Sequence, residues 1–423
     1  MTKQLTGGPC RFCGAELTET FVDLGKSPLC ETFLTPEQLL ESEVFYPLHA
    51  YVCSECFLVQ VAEFVSPEEI FREYAYFSSY STAWLQHCSN YVDVVTDRLG
   101  LDSSSMVVEL ASNDGYLLQY FMEKDVPVLG IEPALNVARV AEDERGVPTR
   151  TDFFGTALAT ELAAEGVQAD LVLGNNVLAQ VPDLNDFVAG IPMILAPTGT
   201  VTIEFPHLMR TVEGNQFDQV YHEHFSYFSL VTVERIFAAH GLRLYDVEEF
   251  WTHGGSIRIW ACHVDHVIPE TERLSAMREH ERRIGMETLE YYRDFASRVE
   301  RLRQDVLTFL ITAKRDGKRV VGYGAPGKGN TLLNYFGIRP DLIEYTVDRN
   351  PYKHGRFTPG THIPIHDPAI LETERADYVF ILPWNLTDEI MNQLAHLTDR
   401  GTRFVRPVPE LTVLDGPSRG AGE

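Results

Sequence analysis

Residues 106–121, MVVELASNDGYLLQYF, constrain the possible folds more than any other stretch of the chain. The opening Met106-Val107-Val108-Glu109-Leu110 is a short apolar run with β-branched residues, which predicts a buried strand. Ala111-Ser112-Asn113-Asp114-Gly115 follows, small and polar, able to turn the chain tightly. From Tyr116 the apolar residues resume at helical spacing. Strand, tight turn and helix make the first βα unit of an open α/β sheet, and ligands sit at the carboxyl ends of such strands. Residues 126–132 (VPVLGIE) predict a second strand, about 20 residues on, that ends on Glu132. A carboxylate there can accept hydrogen bonds from two ribose hydroxyls.

The turn does not read G-x-G-x-x-G. Gly115 is its only glycine, so close backbone approach to a pyrophosphate is not what it offers. An acid at the strand end, Glu109, followed by Ala111, Ser112 and Asn113 better suits a cationic, phosphate-free nucleoside, and S-adenosylmethionine is the leading candidate. Residues 148–154 (PTRTDFF) predict a third strand, with Asp152 near the adenine amino group and Phe153 beside its ring. Residues 169–176 (ADLVLGNN) predict the next, and Asn175 and Asn176 can bond the amino-acid part of the donor or a second substrate. Residues 200–205 add another strand, and the alternation of strands and helices predicts a mostly parallel sheet.

With 423 residues the chain has room for two or three domains. Its net charge of −26 argues against sequence-independent binding to nucleic acid or to an anionic membrane, since phosphate affinity needs clustered cations. Nothing resembles a signal peptide, and no apolar run approaches the ~18 residues of a spanning helix, so a cytoplasmic location is expected. In that setting cysteines point to metal or incidental thiols and not to a disulfide framework. Cys10-x-x-Cys13 and Cys53-x-x-Cys56 are two knuckles that together complete a four-thiolate tetrahedral zinc site, closed and therefore structural. Cys30, between them, is a possible spare.

Residues 71–100 read as a helical connector. Its aromatic and hydroxyl cluster, with Tyr76, Ser79 and Tyr80, suits packing between modules or a lid whose hydroxyls reach the ligand. Residues 219–228 gather His222, His224, Glu223, Tyr221 and Tyr227, a set suited to acid–base chemistry because imidazole titrates near neutrality. His253-Gly254-Gly255 predicts a turn before a strand, with Arg258 able to hold a phosphate or carboxylate. Residues 270–316 read as one or two long amphipathic helices. In residues 319–330, Gly322, Gly324 and Gly327 fit G-x-G-x-x-G, with Asp348 at the end of the following strand, which read alone suggests a dinucleotide site. Gly322, Gly327 and Lys328 also satisfy most of a P-loop, but Gly329 replaces its Ser/Thr; both patterns share an anion site at a helix N-terminus.

In combination these motifs resemble the sugar C-methyltransferases of deoxysugar biosynthesis, such as the C-3 methyltransferases of the mycarose, kijanose and tetronitrose pathways. The resemblance covers essentially the whole chain. It rests on the two C-x-x-C pairs, ELASNDGYLL (109–118), GNNVLAQVPD (174–183), YHEHFSYF (221–228), HGGSIR (253–258) and GYGAPGKGNTLLNY (322–335). It implies a zinc-binding module (1–70), a Rossmann-like class I methyltransferase domain with its connector (71–300), a C-terminal Rossmann-like α/β domain (301–415) and a short tail (416–423). The implied substrate is a nucleotide-linked, typically TDP-linked, 4-keto-deoxysugar, with the turn at Lys328 and Asn330 serving the nucleotide sugar. Tyr76, Ser79, Tyr80, Gln180 and Arg258 are the further substrate contacts expected, and the chain is expected to be a monomer. Where the family pattern NNV-x-A-H leads one to expect histidine, this chain has Gln180.

The chemistry implied is carbon alkylation through an enolate, with His224 as base at C-3 beside a C-4 ketone. Tyr221 would bond the developing enolate oxygen, Glu223 would orient or charge-balance the imidazole, and His222 would be structural. Three alternatives remain open at this point: C-5 methylation of a related keto sugar, an NAD-dependent oxidoreductase using the 322–327 turn, and a non-catalytic zinc scaffold.

Overall fold

In the computed structural model the described residues are 7–66, 79 and 82–416; Tyr76 and Tyr80 lie outside them. The chain divides into two compact units. One comprises Met1–Leu17, Cys53–Leu208 and Phe225–Leu289; the other comprises Thr18–Val52, Met209–His224 and Glu290–Glu423.

The first unit is built on a seven-stranded sheet. Its strands are β1 (Val107–Leu110), β2 (Val128–Ile131), β3 (Thr149–Arg150), β4 (Ala169–Asn175), β5 (Leu195–Pro206), β6 (Leu242–Phe250) and β7 (Ser256–His263). They lie in the order β6-β7-β5-β4-β1-β2-β3. β1 to β5 are mutually parallel, and β7 turns antiparallel against β5 and β6. Every residue of β1 is buried, as its unbroken apolar run predicts for a central parallel strand. The expected third strand is only Thr149–Arg150, so Asp152 and Phe153 fall in the loop beyond it.

Among the described residues seven helices accompany this sheet: α1 (Thr82–Leu99), α2 (Leu118–Met122), α3 (Leu135–Arg145), α4 (Thr156–Ala164), α5 (Leu184–Ile194), α6 (Leu230–Ala239) and α7 (Glu272–Ile284). Local chemistry sets their ends. The side chains of Asp183, Ser229 and Thr271 cap the first turns of α5, α6 and α7, and Gly146 stops α3 at a φ of 68°. Val107, Leu117, Leu118, Phe121, Leu171 and Trp260 belong to one buried cluster that joins the sheet to its helices. Among the described residues no helix is long and apolar enough to cross a membrane.

The second unit has a six-stranded sheet: β8 (Val320–Tyr323), β9 (Thr346–Val347), β10 (Ile365–His366), β11 (Tyr378–Ile381), β12 (Arg403–Arg406) and β13 (Thr412–Leu414). Their order is β10-β9-β8-β11-β12-β13, parallel except for β13. The long helix α8 (Phe295–Arg315) and α9 (Gly327–Phe336) belong to this unit, as does an antiparallel pair, Glu19–Ser27 with Tyr46–Val52. The expected long helical stretch therefore divides: Gly285, at a φ of 92°, ends α7, a short turn of helix spans Glu290–Arg293, and α8 starts afresh.

Candidate active site

A cavity of about 310 Å³ opens in the first unit among residues that follow β1, β2 and β4, the carboxyl edge where an open α/β sheet presents its ligands. The turn after β1 is pinned by its own backbone. Ser112 N–H donates to Ile131 (3.1 Å), and Gly115 N–H donates to Ser112 (3.1 Å). Ala111 and Asn113 both take left-handed conformations, with φ of 58° and 48°. A non-glycine residue there is strained, and such strain gathers at functional sites. Gly130 makes the turn possible from the neighbouring strand: a Cβ on it would lie 2.4 Å from Ser112 Oγ.

Glu132 fastens this turn to the end of β2. Its Oε2 accepts the N–H of Asn113 (2.9 Å) and its Oε1 accepts that of Ala134 (2.8 Å). Burial pushes its carboxyl up to about 7. Each oxygen keeps a second lone pair, the arrangement that a vicinal ribose diol can satisfy.

Of the residues expected to hold the donor, Ala111, Asn113, Glu132, Asp152, Phe153, Asn175 and Asn176 line the cavity, joined by Gln180. Glu109 and Ser112 do not. Both are fully buried beneath the turn, and the Glu109 carboxyl faces the Tyr116 hydroxyl, with burial raising its pKa well above the carboxylate range. Nδ2 of Asn175 and Oδ1 of Asn176 are buried without a partner among the described residues. Buried polar groups of that kind call for a ligand or water, so the wall fits a molecule bearing an amino-acid head as well as a ribose. Sequence reasoning missed the aromatic side of the cavity. Trp84 of α1 lies edge-on to His253 (5.6 Å between centroids) and 6.2 Å from the ring of Tyr116. Their only sequence signals were the glycine turn at 253–255 and the helix start at Tyr116. Ser79 is partly buried.

Arg258 already holds a carboxylate, but one from its own unit. Its Nη2 meets Glu204 at 2.5 Å, Nη1 lies 3.6 Å from Glu248, and the guanidinium stacks over Tyr91 and Phe250. The pair is buried, and His87 adds a second bond to Glu204 at 2.9 Å. The expected phosphate-binding role therefore gives way to an internal ion pair, since a buried cation without one carries a large desolvation cost.

The acid–base cluster belongs to the second unit. The Tyr221 hydroxyl lies 2.8 Å from His224 Nε2, with ring centroids 4.0 Å apart. The Glu223 carboxyl instead meets Cys30, its Oε1 accepting from Cys30 Sγ at 3.6 Å. Burial pushes Glu223 up to about 8, so it is mainly protonated at neutral pH. His222 bonds the carbonyl of Pro47 (3.1 Å), and burial lowers its pKa, consistent with the structural role expected of it.

At the glycine-rich turn before α9, the helix N-terminus is met from within. The part-exposed Glu31 carboxylate lies close to the Gly327 backbone, and Lys353 stands 3.6 Å away. Lys328 turns elsewhere, to the amide oxygen of Asn385 and the face of Trp384 (4.8 Å), with Asp218 as its counter-charge. Burial holds it down to about 8. Asn330 donates to the carbonyl of Cys30 at 2.6 Å. The glycines serve packing here: a Cβ on Gly324 would lie 2.5 Å from Pro383 Cδ, and one on Gly322 would lie 2.7 Å from Thr346 Oγ1.

Cys10, Cys13, Cys53 and Cys56 converge in the first unit, all four sulfurs lying within 4.8 Å of one another. The Cys10–Cys56 and Cys13–Cys53 separations are 3.6 and 3.5 Å. Tetrahedral Zn–S bonds of ~2.3 Å require sulfurs about 3.8 Å apart, so the four residues fit a zinc ion with small adjustments. Both knuckles have one local design: the N–H following the second cysteine returns to the carbonyl of the first, and Gly14 and Phe57 take left-handed φ of 76° and 63° there. Cys30 is not among the converging sulfurs.

Three family models match the chain: a zinc binding domain over residues 10–71, a methyltransferase domain over 84–247 and a C-methyltransferase C-terminal domain over 251–409. C-methyltransferase NovU of Streptomyces niveus is 36% identical over 411 residues, covering 97% of each chain. Among solved structures, the 1,6-didemethyltoxoflavin-N1-methyltransferase of Burkholderia thailandensis is similar at 18% identity, TM-score 0.34, over 49% of this chain and 96% of that one. The magnesium protoporphyrin IX methyltransferase of Synechocystis is similar at 14% identity, TM-score 0.33, over 42% of this chain and 82% of that one. The architecture is thus an N-terminal zinc-binding module, a central class I methyltransferase Rossmann domain and a C-terminal α/β domain.

Proposed function

The chain belongs to the C-methyltransferase family, and from that premise we propose that it methylates a carbon of a nucleotide-linked keto-deoxysugar, C-3 beside a C-4 ketone, with S-adenosylmethionine as donor. The observation that carries the donor reading is Glu132, tied to the Asn113 amide at the rim of a cavity at the carboxyl edge of the sheet. The donor supplies a methyl group on a positively charged sulfur, which makes that carbon electrophilic. Glu132 takes the ribose hydroxyls, Asp152 and Phe153 flank the adenine, and Asn175 and Asn176 take the amino-acid head. We take the functional blocks to be a zinc module to residue 70, a methyltransferase domain to 300 and a nucleotide-sugar domain to 415.

Carbon becomes nucleophilic only when a base removes the proton beside the ketone and the oxyanion is held. His224 is the base and Tyr221 the oxygen's hydrogen-bond donor. At rest each covers the other through their 2.8 Å bond. An arriving ketone that takes the tyrosine hydroxyl frees Nε2 to accept the carbon-bound proton. Glu223, neutral below about pH 8, packs against Cys30 and steadies the loop. Glu31, whose carboxylate lies beside Gly327, weighs against a dinucleotide pyrophosphate at that turn.

The test is mass spectrometry of a panel of keto-sugar nucleotides incubated with S-adenosylmethionine. A methylene mass gain on one of them is expected, and no gain on any of them overturns the reading. For the base, His224→Asn is expected to lose both methyl transfer and deuterium wash-in at the sugar carbon. Retention of both removes His224 from the role.

A further inference from the structure

One wall of the cavity is the stretch 180–187, which leads from the end of β4 into the first turn of α5. The first cysteine knuckle lies in the same unit, and side chains tie the two together in both directions. Arg11, between Cys10 and Cys13, donates from Nη1 to the carbonyl of Pro182 (2.8 Å) and from Nη2 to that of Val61 (2.6 Å). A planar fork can serve two carbonyls from separate segments at once, which an ammonium on a flexible stem cannot do as well. Asn185 answers from the wall: its Nδ2 donates to the carbonyls of Arg11 (3.1 Å) and Phe12 (2.9 Å).

Both ends of this brace lead somewhere. Toward the sulfurs, buried Gln60 accepts the Arg11 N–H at Oε1 (2.9 Å) and donates from Nε2 to Cys10 Sγ (3.1 Å). Toward the cavity, the residues that follow Asn185 carry the constraint onward. Asp186 Oδ1 accepts the N–H of Thr156 (3.2 Å) and also its hydroxyl, and Phe187 lies edge-on to Phe154 with centroids 5.4 Å apart. Those partners come directly after Asp152 and Phe153, the residues placed beside the adenine. Four sulfurs gathered within 4.8 Å are held as thiolates by a cation, so the knuckle, and Arg11 in it, is fixed best when the ion is bound.

We propose that Arg11 and Asn185 are positioning residues for the methyl donor: they lock the 180–187 wall to the cysteine knuckle, so that metal occupancy and donor affinity are coupled. The inference rests on the reading that this cavity takes S-adenosylmethionine with its adenine toward Asp152 and Phe153. Neither residue touches the donor. Each acts through the wall it holds, and the zinc module thereby becomes a working part of the donor site.

The experiment compares Arg11→Met, Arg11→Lys and Asn185→Ala with wild type. Zinc is counted by elemental analysis, S-adenosylhomocysteine affinity is read by calorimetry, and zinc affinity is read by chelator competition with and without saturating S-adenosylhomocysteine. Arg11→Met and Asn185→Ala are expected to keep one zinc per chain and to bind S-adenosylhomocysteine about fivefold or more weakly, the scale of coupling between linked sites. Arg11→Lys, able to reach one carbonyl but not both, should recover part of the loss. Because coupling is reciprocal, S-adenosylhomocysteine should raise zinc affinity several-fold in wild type and by less in the variants. Unmoved S-adenosylhomocysteine affinity in the zinc-loaded variants makes the brace a purely structural contact and overturns the proposal, as does a zinc affinity indifferent to S-adenosylhomocysteine. Should Arg11→Met lose its zinc, Asn185→Ala, which alters no residue of the knuckle, decides by the same criterion. A wild-type chain that binds no S-adenosylhomocysteine sinks the donor reading itself, whereas normal wild-type binding with indifferent variants sinks only this inference.

Discussion

Glu132→Gln tests the donor site most directly, because the geometry predicts both a size and a pH dependence. In the free protein Glu132 titrates near 7, burial being the main cause. An unfolded chain would titrate it near its ordinary 4.5, so the folded protein keeps the proton longer. Stability is therefore fullest below that lower value and declines as pH rises through 7, by up to about 3 kcal/mol. A ribose diol donating to the carboxylate reverses this preference, so ligand binding favours the ionised form. At about pH 6 roughly a tenth of the free protein is ionised, and S-adenosylhomocysteine should bind about tenfold more weakly than at about pH 8 or above. Glutamine has no charge to titrate and turns an N–H₂ toward either the Asn113 or the Ala134 amide. Losing a charge-assisted bond costs about 1.5–3 kcal/mol, so affinity should fall roughly 10- to 150-fold at high pH and become nearly independent of pH. Calorimetric titration of wild type and variant across this range reads both effects. An unchanged affinity in Glu132→Gln, or a wild-type affinity that weakens as pH rises through 7, would refute the reasoning.

Further outcomes follow from the same physics. A purified chain should carry one zinc by elemental analysis, and stripping it with a chelator should unfold the Cys10–Cys56 region, lowering the thermal midpoint and exposing four thiols to titration. Gly130→Ala should cost about 1–3 kcal/mol in urea denaturation and weaken S-adenosylhomocysteine binding, because the new methyl group must displace Ser112. Arg258→Met leaves Glu204 buried without its main partner, and about 3–5 kcal/mol of stability should be lost, read from the denaturation midpoint. Ala111→Gly should preserve S-adenosylhomocysteine binding, because glycine takes the φ of 58° without strain.

The central βα unit, its acid at Glu132 and the four-cysteine cluster were legible in the amino-acid sequence because each is written in short-range terms. Apolar periodicity marks a strand or helix, a small-residue turn joins them, and a two-residue gap places two thiolates on one ion. Long-range pairing is not written that way. Whether Arg258 met a substrate or Glu204, 54 residues away, depended on which strands became neighbours. Glu223 found Cys30 across 193 residues, and Glu31 reached the glycine turn that read as an open anion site. The aromatic side of the donor cavity likewise joins α1 to the turn before β7. Sequence alone thus determined the local units and the chemistry each could offer. Only the tertiary structure decided which charges are spent on one another and which face a ligand, because desolvation and pairing energies depend on neighbours in space and not on spacing along the chain.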